Sequence, residues 1–218
     1  MINLYNQDCM EAMASMKDNE FDLAIVDPPY GIHKKLVDKQ KLNQSNKFTK
    51  LYMKKNWDKK RPSKDYFDEL QRVSKNQIIW GGNYFADLLP PSRGWICWDK
   101  VVDFTCQNGE LAWSSFDKAL AIFKRCGTMD HGFMVKTQVD EKIHPTQKPI
   151  ALYMWLLSKY AEKGWKILDT HLGSGSSAIA CDTLGYEFHG YELDEEYYLG
   201  AKKRLQQHQR QIKLPLGI

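Results

Sequence analysis

The chain has 218 residues, 43% of them hydrophobic, with a formal net charge of +4. That is the size and composition of one globular domain spanning 1–218, and no run of eighteen apolar residues suggests a membrane-spanning helix. Five scattered cysteines without a Cys-x-x-Cys pair, and six histidines without ligand spacing, predict neither a disulfide framework nor a metal site. The opening residues show no signal-peptide pattern, so a reduced, cytoplasmic setting is expected. A strand is predicted over 2–6, a helix over 9–17 and an apolar strand over 21–26. That strand runs straight into Asp27-Pro28-Pro29-Tyr30. Two prolines remove two backbone donors and fix φ, leaving a rigid turn with free carbonyls between a carboxylate and an aromatic ring. Such a set suits gripping the amino group of a flat ring while stacking on its face.

Residues 31–62 carry eleven Lys or Arg against two acids, while the other 186 residues carry twenty bases and twenty-five acids. The positive field is thus concentrated in one insertion after the acidic turn. Its Lys34, Lys35, Lys54, Lys55, Lys59, Lys60 and Arg61 suit phosphates, and Asn43, Gln44 and Asn46 suit base edges. A solvated loop is the plainer reading of such a charge run. Further along, helices are predicted at 64–75 and 83–89, and strands at 77–81 and 94–98. Strands at 110–114 and 118–124, joined by Ser115-Phe116-Asp117, read as a β-hairpin. A segment of about twenty residues, 125–143, separates this hairpin from His144-Pro145-Thr146-Gln147-Lys148-Pro149 and a helix at 149–162.

Lys166-Ile167-Leu168-Asp169-Thr170-His171-Leu172-Gly173-Ser174-Gly175 then reads as strand, acid and glycine turn. A small-residue helix at 175–184, a strand at 186–191 ending in Glu192, and a helix at 194–210 complete the chain. Asp194 is placed to cap the last helix, with Glu195 and Glu196 in its first turn and Lys202, Lys203 and Arg204 beyond, a charge order that complements the helix dipole. Glycines allow close approach of backbone to a ligand, and an acid at the next strand tip can accept from ribose hydroxyls. Gly173-x-Gly175-x-x-Ala178 also satisfies the dinucleotide fingerprint. Against it stand the motif's place in the last quarter of the chain, the extra acid Asp169, and the unexplained Asp27-Pro28-Pro29-Tyr30. Asp169 suits a cationic amine and not a pyrophosphate.

These segments, in this order, resemble β-group DNA amino-methyltransferases, similar to compact phage or prophage site-specific enzymes. The start Ile2 to Met10, Asp27-Pro28-Pro29-Tyr30-Gly31, His144 to Pro149 and the glycine turn carry the likeness. Protein-glutamine methyltransferases place an Asn-Pro-Pro-Tyr after the cofactor loop, the reverse order. Cytosine-C5 enzymes carry a Pro-Cys dipeptide, which is absent from this chain. The resemblance implies a doubly wound, mostly parallel α/β sheet of Rossmann-like type with a closing hairpin. It implies S-adenosylmethionine as cofactor and double-stranded DNA as partner, acting as monomer or homodimer, in a restriction-modification or phage setting. The expected reaction is methyl transfer to adenine N6 with base flipping. N4-cytosine transfer, for which Ser-Pro-Pro-Tyr is usual, and an inactive DNA-binding homologue are the alternatives.

Within that resemblance the Asp27 side chain and the Pro28 carbonyl accept the amine's two N–H bonds, and Tyr30 stacks on the base, with Pro29 completing the catalytic motif. Asp169, Leu172, Gly173 and Gly175 line the methionine part of the cofactor, with His171, Ser174 and Ser176 in the same loop and Asp27 within reach. Glu192 holds the ribose, Leu193 lies against the adenine, and Asp8 and Cys9 match the segment that contacts it. Thr146 and Lys148 meet the cofactor's carboxylate. The basic insertion and the 125–143 segment serve DNA recognition.

Overall fold

Phe21–Val26 is buried almost throughout, the mark of a strand covered on both faces by helices. In the computed structural model, which describes residues 1–32, 58, 60–101, 108–125, 143–144 and 146–212, it lies near the middle of one sheet. Among the described residues the strands are β1 (Ile2–Asn6), β2 (Phe21–Val26), β3 (Ser74–Trp80), β4 (Trp95–Asp99), β5 (Gly109–Ser114), β6 (Ala121–Lys124), β7 (Lys166–Asp169) and β8 (Glu187–Glu192). Their order across the sheet is β1-β8-β7-β2-β3-β5-β4-β6. The helices are α1 (Cys9–Ser15), α2 (Lys64–Val73), α3 (Ile150–Tyr160), α4 (Ser176–Leu184) and α5 (Glu195–Ile212).

Alternation along the strands builds two cores. Leu23, Ile25, Ile78, Trp80, Ile167 and Phe188 pack with Leu152, Leu156, Ala178 and Ala201 of α3, α4 and α5. Ala24, Val26, Ile79, Leu168 and Tyr191 pack with Met13 of α1 and Phe67 and Leu70 of α2 on the other face. The six residues Ser176 to Cys181 are all buried, so the small side chains of α4 do let it sit close to its neighbours. From β2 the chain moves on to β3 on one side, and from β7 to β8 on the other. Adjacent strands that lead opposite ways open a crevice at their carboxyl ends. Asp27 and Asp169 stand at those two ends.

The sheet is mostly parallel, with two antiparallel pairings, β3 with β5 and β4 with β5. The expected hairpin of 110–114 with 118–124 is therefore corrected. Both edges of β5 are occupied, by β3 and β4, so β6 runs parallel to β4 at the sheet's rim. The antiparallel pair of sequence neighbours is instead β4 and β5, in register Trp95↔Trp113 to Asp99↔Gly109. The helix expected at 83–89 is a single 3-10 turn at Gly82–Tyr84. Pro90 and Pro91 follow a few residues on, leaving too little chain for an α-helix. Helix α2 stops at Val73, where Ser74 Oγ donates to the Leu70 carbonyl, and the strand begins there instead of at 77. Finally, β1 pairs with β8 and belongs to the half that carries the glycine turn, not to the half that carries Asp27.

Candidate active site

One cavity of about 490 Å³ opens where β2 and β7 end. Its walls bring together segments from the whole chain: Gln7, Asp8 and Cys9 after β1, Asp27 and Pro29 after β2, and His144, Thr146, Gln147 and Lys148 before α3. The loop Thr170 to Ser174 after β7, Glu192 at the end of β8 with Leu193 and Asp194 beyond it, and Tyr153 and Tyr197 from α3 and α5 complete it. Asp169, Gly175 and Ser176, also expected at this site, do not line it. Asp169 is 2% exposed beneath the loop, where it accepts from Ser177 Oγ at 2.6 Å and from the His171 N–H at 3.0 Å. Ser176 is buried against Ser174 and Arg204.

The glycine turn is held from several sides. Gly173 and Gly175 have φ of +52° and +75°, which favour glycine. A Cβ on Gly175 would meet Ala201 Cβ at 3.0 Å, so this glycine serves the seating of α5, while one on Gly173 would make only ordinary contacts, 3.8 Å from the His171 carbonyl oxygen and 3.9 Å from His144 Cδ2. The guanidinium of Arg204, 7% exposed, donates to the Ser174 carbonyl from behind. Sequence placed Arg204 as a dipole-complementing charge; the fold uses it as a buried brace. Glu192 Oε2 accepts the Gly173 N–H at 2.8 Å and Oε1 accepts the Asp194 N–H at 2.9 Å. Asp8 caps α1 by accepting the Met10 N–H at 2.7 Å, and Asp194 caps α5 through the Tyr197 N–H at 3.1 Å.

Acids dominate the electrostatics of this half of the site. Burial, with Asp27 and Glu192 nearby, raises Asp169 to about 7 despite the bonds from Ser177 and His171, and burial also raises Glu192. Burial holds His171 down at about 4, so its ring is neutral, with Nδ1 2.9 Å from Thr170 Oγ1. Burial and Asp8 push the Cys9 thiol up to about 12, so it is no thiolate nucleophile. Paired acids below a glycine loop, beside a cavity of this size, fit a ligand with an ammonium or sulfonium and a ribose. They do not fit a pyrophosphate.

The Asp27 end is different. Its side chain is 19% exposed; Oδ2 lies 2.5 Å from Lys148 Nζ, and Oδ1 accepts the Tyr30 hydroxyl at 2.6 Å. Lys148, expected at the cofactor's carboxylate, is thus placed on Asp27, and its ammonium also reaches Glu110 Oε2 at 3.2 Å. Burial lowers the Lys148 pKa, but Asp27 and Glu110 outweigh it and the ammonium stays charged. The Tyr30 ring stacks on Tyr84 with centroids 4.9 Å apart and planes 15° apart. A base stacking on Tyr30 must use its other face or displace Tyr84.

Asn83 and Tyr84, after a glycine pair at a strand end, are legible in the sequence as candidates to touch a flipped base, and Tyr84 stands against Tyr30. Glu110 escaped the sequence reading, being one acid in an ordinary strand. Of the basic insertion, Lys60 and Arg61 are described, and Arg61 is engaged with Asp87 through two bonds of 2.7 and 2.6 Å. Lys34, Lys35, Lys54, Lys55 and Lys59, and almost all of 125–143, lie outside the described residues.

Fold and site together define a Rossmann-like S-adenosylmethionine-dependent methyltransferase. The family described as DNA methylase, covering N6 and N4 amino-methylation, matches residues 96–203. Type II methyltransferase M.HpaI of Haemophilus parainfluenzae is 23% identical over 90% of this chain and 71% of its own length. The crystal structure of the M1.HpyAVI–S-adenosylmethionine complex superposes with a TM-score of 0.58 at 23% identity, covering 94% of this chain and 99% of that one. The PvuII DNA methyltransferase, cytosine-N4-specific, gives 0.61 at 11% identity, covering 95% and 89%. The family match and these relatives support a DNA methyltransferase of this family, with S-adenosylmethionine-dependent DNA methylation of the N6-adenine or N4-cytosine type.

Proposed function

We propose that the enzyme methylates the exocyclic N6 of adenine at a specific sequence in double-stranded DNA, with the base turned out of the duplex. The observation that carries this is the placing of Asp27 and the Asp169 loop at the ends of adjacent strands, opening on one cavity. Glu192 then holds the cofactor's ribose, and Asp169, from beneath, fixes the loop Thr170 to Ser174 that faces the cationic end, with Asp8, Cys9 and Leu193 toward its adenine and Thr146 at the opposite wall. Bound there, the cofactor supplies an electrophilic methyl on sulfur, whose bonding pair stays with the sulfur when the methyl leaves.

An exocyclic amine is a poor nucleophile because its lone pair is delocalised into the ring. Asp27 accepts one N–H and the Pro28 carbonyl the other, drawing that lone pair toward the methyl. Asp27 already receives Lys148 and Tyr30, which take up part of the roughly four acceptor sites a carboxylate offers. Burial raises the Asp27 pKa against the pull of Lys148, which fits it to take the proton released after the N–C bond has formed. Positioning and electrostatics supply most of the rate.

Asp27 before Pro-Pro-Tyr favours adenine; the fold shared with a cytosine-N4-specific enzyme keeps N4-cytosine as the second reading. Digesting DNA from a methylation-deficient host after incubation with the enzyme and cofactor, then identifying the modified nucleoside by mass spectrometry, decides between them. N6-methyladenine is expected. N4-methylcytosine overturns the base assignment, and unmodified DNA overturns the activity.

A further inference from the structure

Asp27, Lys148 and Glu110 form a cluster of charges, of which Asp27 and Lys148 line the cavity. The Lys148 side chain is 2% exposed and stands between two carboxylates, at 2.5 Å from Asp27 Oδ2 and 3.2 Å from Glu110 Oε2. Glu110, 18% exposed, is fixed by its other oxygen, which pairs with Lys100 at 2.7 Å. It lies opposite Trp98 in the register of β4 and β5. Buried ion pairs seldom stabilise a fold more than apolar packing of the same volume. A partly buried chain of two acids and two bases, ending on the proposed catalytic carboxylate, is therefore poor evidence of a stability device. It has a direct chemical consequence. An ammonium this close to Asp27 competes with the target amine for the same lone pairs.

We propose that Glu110 is a positioning residue for methyl transfer: it shares the Lys148 ammonium with Asp27 and takes it up as the target amine arrives. Lys100 keeps Glu110 ionised and in place, and Glu110 draws Lys148 aside, freeing Asp27 to accept the amine's N–H. Without Glu110, Lys148 closes on Asp27 alone. The inference rests on Asp27 being the group that receives the amine.

Glu110→Gln keeps the shape and removes the charge. Tritium transfer from labelled S-adenosylmethionine to DNA from a methylation-deficient host should show kcat lower by about tenfold, within the range for neighbours in one charge network, with the KM for the cofactor unchanged. In a Lys148→Met background the same Glu110 substitution should have no further effect, and Glu110→Asp, which retains the charge, should recover most of the loss. Wild-type turnover in Glu110→Gln, an equal loss in both backgrounds, or an Asp variant as slow as the Gln variant overturns the proposal. Carboxyl-carbon NMR of the DNA-free protein gives a reading independent of turnover. Asp27 should titrate at lower pH in Glu110→Gln, and an unchanged titration refutes the coupling. Absence of methyl transfer by the wild type overturns the proposed function, while the NMR titration still decides whether Glu110 acts on Asp27 through Lys148.

Discussion

Asp27 is the residue on which both the fold and the chemistry converge. Replacing it with alanine should abolish methyl transfer while the thermal unfolding midpoint changes little, because Lys148 keeps Glu110 as a partner. Comparable turnover in mutant and wild type removes Asp27 from the mechanism. Glu192→Ala should weaken S-adenosylmethionine binding by about 1.5–3 kcal/mol, on the order of tenfold to a hundredfold in affinity, as read by calorimetry. Part of that loss is indirect, since Glu192 also fixes the Gly173 and Asp194 amides. Unchanged affinity refutes the ribose assignment.

Asp169 makes binding depend on pH. Burial pushes its carboxyl up to about 7, and in the ionised form it accepts the Ser177 hydroxyl and the His171 amide that fix the loop on the cavity wall, so cofactor affinity should fall as pH drops below that value. The stability of the ligand-free protein should move the other way. A carboxyl whose folded pKa lies above its unfolded value near 4 contributes stability that is present below pH 4 and lost as pH rises toward 7. Asp169→Asn should flatten both dependences, and calorimetry and thermal melts across pH 5–8 provide the check.

At the scale of elements, turns decide where the functional side chains stand. Gly81 ends β3 with φ of +70°, and a Cβ there would lie 2.2 Å from Tyr30 Cε1. Gly81→Ala should therefore strain the backbone by roughly 1–3 kcal/mol and push the Tyr30 ring away from Asp27. Misplacement of that order lowers turnover by about a hundredfold. A Gly81→Ala enzyme of normal turnover and altered melting temperature would show that Tyr30's place against Tyr84 is structural only. The apolar strand β2, the small-residue helix α4 and the capped α5 were all legible in sequence, because each carries a local pattern that its neighbours do not contradict. The hairpin was misread because Ser115-Phe116-Asp117 is an acceptable turn, yet β5 had no free edge left for β6.

For the whole molecule, the charge asymmetry of the sequence leads to a further expectation. Replacing Lys54, Lys55, Lys59 and Lys60 with Gln should weaken duplex binding and leave cofactor affinity intact, with the log–log salt slope reduced by about 0.9 for each phosphate that is no longer neutralised. Fluorescence anisotropy over a salt series measures it, and a wild-type slope places recognition elsewhere. Arg61 is left out of that set because Asp87 already engages it.

Four motifs in order and the alternation of strands and helices implied this architecture and its cofactor through a family resemblance, since a rigid Pro-Pro turn and a glycine loop declare themselves within a few residues. What tertiary structure alone decided is which distant groups meet. Lys148 reaches the Tyr30 hydroxyl from 118 residues away, β1 joins β8, and Glu110 becomes part of the site only because β4 sets its register. Strand edges and buried ammonium partners are chosen by competition among many possible pairings across the sheet, and a local sequence pattern holds no record of which pairing wins.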